Sequence, residues 1–201
     1  MKKNTVFLRA FEPDDYVLIN KWRNDFDVQR NVAGRFRYVS EAREKKWVEY
    51  NIENNSTDIY LAICINDESK RMIGYTSIND IDYVNRKAFW GGLLMAGDAH
   101  NSKQLTDAIL LIFDYAFVDM SLHRLTGAFL DIHKNAFLMN QMMGLKIEGV
   151  EKDAIFKNQE YHDLYRVAIL HNEYFDLLNN GGFEDRAIRK RLLEITKANK
   201  K

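Results

Sequence analysis

Between Ser121 and Leu170 a strand, a helix and a hairpin follow one another without a spare residue, and that run restricts the fold more than any other part of the chain. Arg124 to Leu130 has strand composition, the helix behind it ends at Met143-Gly144, and Ile147 to Phe156 with Tyr161 to Leu170 close an antiparallel hairpin. Upstream, Ala88 to Met95 reads as another strand, and Leu105, Ala108, Ile109, Ile112, Tyr115 and Ala116 keep a helical period between the two. Strand, helix and strand in that order make a βαβ crossover, so the flanking strands are parallel. A sheet that holds both a parallel pair and a hairpin is mixed, with helices on its faces, and the fold class is α+β.

The N-terminal half supplies the rest of the sheet. Thr5 to Arg9 is a short strand. Glu12-Pro13-Asp14-Asp15 then puts proline near a first helical position and two acids in the first turn, where the helix dipole favours them, and the helix runs to about Arg23. Ser40 caps a second helix, with Glu41 and Glu44 in its first turns and Trp47 and Tyr50 toward its far end. Ile59 to Ile65 and Met72 to Ile78 are β-rich and, with Ala88 to Met95, form a meander of antiparallel neighbours. Asn179-Asn180-Gly181-Gly182 is a break that divides the chain into one domain over residues 1–178 and a basic helical tail over 179–201. Ile188, Leu192 and Ile195 recur at helical spacing in that tail. It is expected either to pack on the domain or a second copy, or to stand as a solvated, frayed helix.

A length of 201 residues suits one core, and no Pro/Gly/Ser-rich linker argues for two. Lys plus Arg number 29 and Asp plus Glu 29, which leaves no net charge to hold phosphate backbones, so nucleic acid is not an expected partner. Cys64 is the single cysteine. No internal disulfide forms, and the apolar run Ile59 to Ile65 marks Cys64 as a small buried hydrophobe in a reducing cytosol. Met1-Lys2-Lys3-Asn4-Thr5 carries charge without an apolar region behind it, and nowhere do about 18 apolar residues run together. The expected location is cytoplasmic, with no membrane partner.

Ordered segments from Leu8 to Leu170 resemble one family. They are Leu8-Arg9 with Glu12-Pro13-Asp14-Asp15, Trp22-Arg23-Asn24-Asp25, Ile73-Gly74, Asp114-Tyr115-Ala116-Phe117 before Leu122-His123-Arg124, and the hairpin ending Tyr161-His162-Asp163. In order and spacing they are similar to the GNAT superfamily of N-acetyltransferases, in the subgroup that acetylates ribosomal-protein N-termini, polyamines and amino sugars. The resemblance implies a single-domain, mixed, mostly antiparallel sheet with one splayed parallel pair and helices on both faces. It implies acetyl-CoA as co-substrate, no metal, and direct transfer of acetyl to a primary amine: a small amine, an amino sugar or a peptide N-terminus. A homodimer stays open. On this resemblance Leu93, Leu94 and Met95 offer main chain to pantetheine as an added strand would. Asn101, Ser102, Lys103, Gln104, Leu105 and Thr106 would meet the pyrophosphate at a helix start, and Asn135 is a further cofactor contact.

Two places depart from the family pattern. Aligned on Thr106-Asp107-Ala108, the loop that carries glycines in relatives reads His100-Asn101-Ser102-Lys103-Gln104-Leu105, with Lys103 and Leu105 at the glycine positions. In the next helix His133 and Asn140 stand where the family has Asn and often Tyr, so the acid that protonates the leaving thiolate is missing. An alternative function follows: a catalytically inactive GNAT-fold protein that binds a ligand or partner. A third reading, a ribosome-bound or RNA-modifying factor, needs a basic face of which the neutral composition gives no sign.

Amine acetylation needs a neutral amine. For an alkylamine of pKa about 10.4, deprotonation at pH 7 costs roughly 4.6 kcal/mol unless a base assists. Asp131, where its strand meets the cleft, and His133 are the candidate catalytic pair, as base or water-orienting groups. His162 belongs to the hairpin signature and is expected to satisfy local hydrogen bonds. The acceptor is expected to meet Trp22, Arg23, Asn24, Phe36 and Tyr38, with Arg35 and Arg37 nearby. Aromatic and cationic groups suit a sugar, a nucleotide or a peptide carboxylate; a core tryptophan and solvated arginines are the plainer reading.

Overall fold

The computed structural model describes residues 4–29, 32–34, 36–96 and 101–198; Arg35 and His100, named above, lie outside them. Among the described residues one sheet contains β1 (Val6–Ala10), β2 (Ile59–Ile65), β3 (Met72–Asp82), β4 (Lys87–Met95), β5 (Arg124–Leu130), β6 (Lys146–Lys157) and β7 (Glu160–Leu170). Their spatial order is β1-β2-β3-β4-β5-β7-β6, and every neighbouring pair is antiparallel except β4 with β5. The mixed α+β sheet expected from the sequence is the one observed.

Helices α1 (Tyr16–Arg23), α2 (Phe26–Gln29) and α3 (Glu41–Glu53) belong to one face, where Ile19, Trp22 and Val48 pack with Ala62, Cys64 and Tyr75 of the sheet. Cys64 is fully buried there, and burial pushes its thiol pKa up. Helices α4 (Ser102–Asp114), α5 (Lys134–Met142) and α6 (His171–Asn179) belong to the other face. Ile109, Ile112 and Phe113 fill the space between α4 and the sheet, so the crossover helix lies where a βαβ connection requires it. Ser40 caps α3 as its sequence indicates, its hydroxyl accepting from the Arg43 amide. Pro13–Asp15 form a 3-10 turn ahead of α1, because Asp15 turns its carboxylate onto the Glu12 amide and the Arg9 guanidinium.

Two short helices had no visible period. α2 spans four residues, too few to show one. α6 is held by tertiary contacts: Tyr174 is fully buried against Phe113 and Phe117, and its hydroxyl donates to Asp114. The tail helix α7 (Asp185–Ala198) packs against α5 instead of standing in solvent. Arg191 explains the attachment. Its guanidinium donates to the carbonyls of Met142 (2.9 Å), which the end of α5 leaves unsatisfied, and of Gly182 (2.5 Å) in the turn before α7. Among the described residues no helix is long and apolar enough to cross a membrane.

Candidate functional site

The parallel pair opens into a cleft. β4 and β5 pair only through Lys87–Arg124, Ala88–Leu125 and Phe89–Thr126, and then part. The cause lies in β4. Trp90 stands opposite Ile78 and Leu93 opposite Thr76, so β4 carries one residue more than β3 over that interval, a bulge centred on Gly92 at φ +82°. Few side chains tolerate that conformation, which accounts for glycine there. The Thr76 hydroxyl fixes the bulge: it donates to the Gly92 carbonyl at 2.8 Å and accepts from the Trp90 indole at 3.1 Å. Leu93, Leu94 and Met95 stay paired with Thr76, Tyr75 and Gly74 of β3, while among the described residues their other edge has no strand partner.

Below the end of β4 the helix α4 begins. Asn101 and Gln104 form a reciprocal capping box: the Asn101 side chain accepts from the Gln104 amide and the Gln104 side chain from the Asn101 amide, each at 2.9 Å. Among the described residues nothing accepts from the amides of Ser102 and Lys103. The Lys103 ammonium pairs with Asp107, which is 2% exposed and also accepts from the Thr5 amide and hydroxyl at 2.8 and 2.7 Å. These bonds hold the Asp107 carboxyl below its usual pKa range, against the opposing effect of burial. Lys103 is therefore drawn along α4, and Leu105, half-buried, packs against Met95 and Ala108; both also line the groove beside the helix start. A groove of about 440 Å³ runs from the start of α4 over Asn135, Leu138, Met139 and Met142 of α5 to Ile188, Arg189 and Leu192 of α7. Nothing in the sequence linked α7 to this groove.

Asp131 follows the last residue of β5. Its Oδ1 accepts from the Ile132 amide at 2.7 Å and lies 3.1 Å from His162 Nδ1. His133 is placed differently. It caps α5, its Nδ1 accepting from the Ala136 amide at 3.2 Å, and burial lowers its pKa. No hydrogen bond joins Asp131 and His133; the structure brings Asp131 to the hairpin histidine. Asn140 is buried and donates to the Ala136 carbonyl of its own helix at 2.7 Å.

The acceptor candidates divide into two sets. Trp22 is in the core. Arg23 donates to Glu44 at 2.9 Å and to the Tyr75 hydroxyl at 3.1 Å, with its guanidinium 3.9 Å over the Trp47 ring. Asn24 ties down the segment before α3 through paired bonds with the amide and carbonyl of Val39, both 2.8 Å. Phe36, by contrast, joins an exposed aromatic row, 5.8 Å from Phe26 and 5.1 Å from Tyr38. Tyr38 is 86% exposed, which leaves its ring available to a ligand.

A residue missed from sequence organises that region. Lys157, at the end of β6, is buried and donates to the carbonyls of Gln29 (3.0 Å), Val32 (2.5 Å) and Gly34 (3.2 Å). Burial lowers its ammonium pKa. Charged hydrogen bonds of this kind contribute about 1.5–3 kcal/mol each where geometry is good. Lys157→Met keeps the stem and removes the donors, and is expected to lower stability by about 2 kcal/mol. Calorimetric melting together with limited proteolysis checks this: faster cleavage near Val32 is expected, and an unchanged melting point with unchanged cleavage removes the clamp.

Comparison with known proteins places these features in a family. The profile described as the acetyltransferase (GNAT) domain matches residues 5–144. A probable N-acetyltransferase, YjcK, of Bacillus subtilis is 26% identical over 176 residues, covering 85% of this chain and 96% of the relative. The spermidine N(1)-acetyltransferase of Vibrio cholerae is 24% identical over 173 residues, covering 84% and 95%. A crystal structure of spermidine N-acetyltransferase from Vibrio cholerae in complex with CoA and spermine superposes with a TM-score of 0.78 at 21% identity, over 86% of this chain and 99% of that one.

Proposed function

Because the chain belongs to the GNAT acetyltransferase domain family, we propose that it moves an acetyl group directly from acetyl-CoA to a small primary amine. The observation that carries this reading is the splay of β4 from β5 beside the start of α4, where the Ser102 and Lys103 amides lie outside the capping box. The residues present fit coenzyme A. The free edge of Leu93, Leu94 and Met95 suits the amides of pantetheine as a neighbouring strand would. The amides of Ser102 and Lys103, with the helix dipole behind them, suit a pyrophosphate. Lys103 and Leu105, in the glycine places, line the same groove, with the Lys103 ammonium held by Asp107 and Leu105 packed against Met95 and Ala108. Asn135 lines the same groove.

Acetyl-CoA, when bound, supplies the acetyl group as a thioester whose thiol has an unperturbed pKa of about 8.5. Such a group leaves without a strong acid, so Asn140 in the place of tyrosine does not exclude transfer. The side chains of this chain have two other tasks. The row of Phe26, on α2, with Phe36 and Tyr38, beyond the segment that Lys157 holds, offers ring faces to an amine or its alkyl chain. Asp131 brings negative charge to the mouth of the cleft. The spermidine acetyltransferases among the relatives favour a small amine over an amino sugar or a peptide N-terminus.

Calorimetric titration with acetyl-CoA, followed by a thiol-release assay with spermidine, glucosamine and a peptide with a free N-terminus, tests the reading. Saturable binding and release that depends on the amine are expected, fastest with spermidine. Absence of saturable binding at millimolar acetyl-CoA leaves the inactive alternative standing.

A further inference from the structure

We propose that His162, oriented by Asp131, is the general base that accepts the proton of the acceptor amine; this rests on the acetyltransferase reading above. β7 pairs with β5 as far as Leu130–Leu164, so His162 lies just past the C-terminal end of β5, the end at which β4 has parted from it. The imidazole is 6% exposed, and its Nδ1 lies 3.1 Å from Asp131 Oδ1. With the Nδ1 hydrogen donated to that carboxylate, Nε2 keeps its lone pair. Nε2 is buried and meets no hydrogen-bond partner among the described residues. A buried acceptor left unpaired costs about 1–3 kcal/mol, which an N–H of the amine recovers. A base held in one tautomer by a carboxylate, with its other nitrogen aimed at the reacting group, is a recurrent catalytic arrangement.

Among the described residues the charged groups around this ring are Asp131, just past β5, and Asp163 beside it on β7, the latter paired with Lys152 of β6 at 2.6 Å. Ile155 stands directly opposite on β6, and Lys157 beyond it spends its ammonium on loop carbonyls. In the step, His162 Nε2 takes a proton from the amine nitrogen. The nitrogen lone pair forms the C–N bond to the acetyl carbonyl, the C–S bond breaks, and its electron pair leaves on sulfur. The proton on Nε2 passes to solvent, and the second proton, left in excess on nitrogen by the new C–N bond, goes to the thiolate.

The test uses the full chain labelled with 15N-histidine. In the wild-type protein His162 is expected as the Nδ1-protonated tautomer, and its Nε2 signal is expected to move when spermidine is added to the CoA-loaded protein. His162→Gln is expected to lower turnover about 10²- to 10⁴-fold and to abolish the acidic limb of the pH–rate profile, with acetyl-CoA affinity unchanged. Asp131→Asn is expected to lower turnover with the same affinity and to release the tautomer. An Nε2-protonated His162 in the wild type, or His162→Gln with wild-type turnover and pH profile, overturns the proposal alone. A wild-type protein that acetylates none of the three amines overturns the acetyltransferase reading along with it.

Discussion

Gly74→Ala is expected to lower the melting temperature by about 6–12 °C, at roughly 2–4 °C per kcal/mol for a chain of this size and a loss of about 3 kcal/mol. A Cβ at this position would lie 2.5 Å from the Leu94 carbonyl oxygen and 3.0 Å from the Met95 Cα. Both are backbone atoms of the neighbouring strand, so no rotamer change relieves the overlap, and β3 must move away from β4. The damage falls on Leu93–Met95, the segment whose free edge is assigned to pantetheine. Acetyl-CoA affinity should therefore fall together with stability. Gly149→Ala is the control, because a Cβ there meets nothing within 4 Å. Its melting point should stay close to wild type, with a change of about 0.5 kcal/mol or less. A Gly74→Ala protein that melts with the wild type and binds acetyl-CoA normally would falsify the close strand contact.

Arg23→Ala should remove about 3–5 kcal/mol, the usual consequence of taking one partner from a buried ion pair. Glu44 is fully buried, its Oε2 makes no hydrogen bond among the described residues, and Arg23 is its main compensation, ahead of Asn20. Arg23 also covers Trp47 and bonds the Tyr75 hydroxyl, so packing is lost with the charge. The pH dependence has a definite sign. Burial raises the Glu44 pKa, and the charge of Arg23 only partly opposes it. The folded state thus holds this proton more tightly than the unfolded chain, and the group's contribution is greatest at acid pH. It is lost as pH rises through the raised folded-state value. Without Arg23 that value rises further, so the deficit of the variant should be smaller in acid and grow toward neutral pH. Urea unfolding at both pH values measures it, and Glu44→Gln in the Arg23→Ala background should recover part of the loss. A pH-independent deficit contradicts the buried-charge account. Unchanged stability with a raised KM for the amine would return Arg23 to the acceptor site.

The sheet is legible in the sequence where its signals are local. Ile59–Ile65 and Arg124–Leu130 have the bounds their composition indicated, and the hairpin differs by a residue or so at each end. The parallel pair followed from the helix between its strands, a consequence of connection length and chain handedness. β3 runs on to Asp82, past Ile78, because irregular pairing with β4 lets Asp80 take φ +51° and the strand resume. That adjustment belongs to the pair of strands and leaves no mark on either one. α6 escaped because a helix of nine residues owes its place to one buried tyrosine and a neighbouring acid.

The candidate site was legible to a lesser degree. Main-chain features, the free edge of β4 and the start of α4, were located by motif order alone, since any side chains that permit the backbone path will serve. The side chains that surround them were not. Whether Asp131 meets His133 or His162, whether Lys103 covers the helix start or turns to Asp107, and whether Arg23 faces a ligand or Glu44 all depend on groups distant in sequence.

What the amino-acid order determined by itself was the succession of elements, the mixed sheet with its one parallel pair, and the family these imply. Hydrophobic period, turn residues and connection length act over a few neighbouring positions, and all three can be read along the chain. Only the tertiary structure decided which polar groups pair across the sheet: Asp131 with His162, Lys157 with the loop after α2, Arg191 with the end of α5. A buried polar atom takes whatever partner the packing brings within about 3 Å, and that distance is set by the whole fold at once.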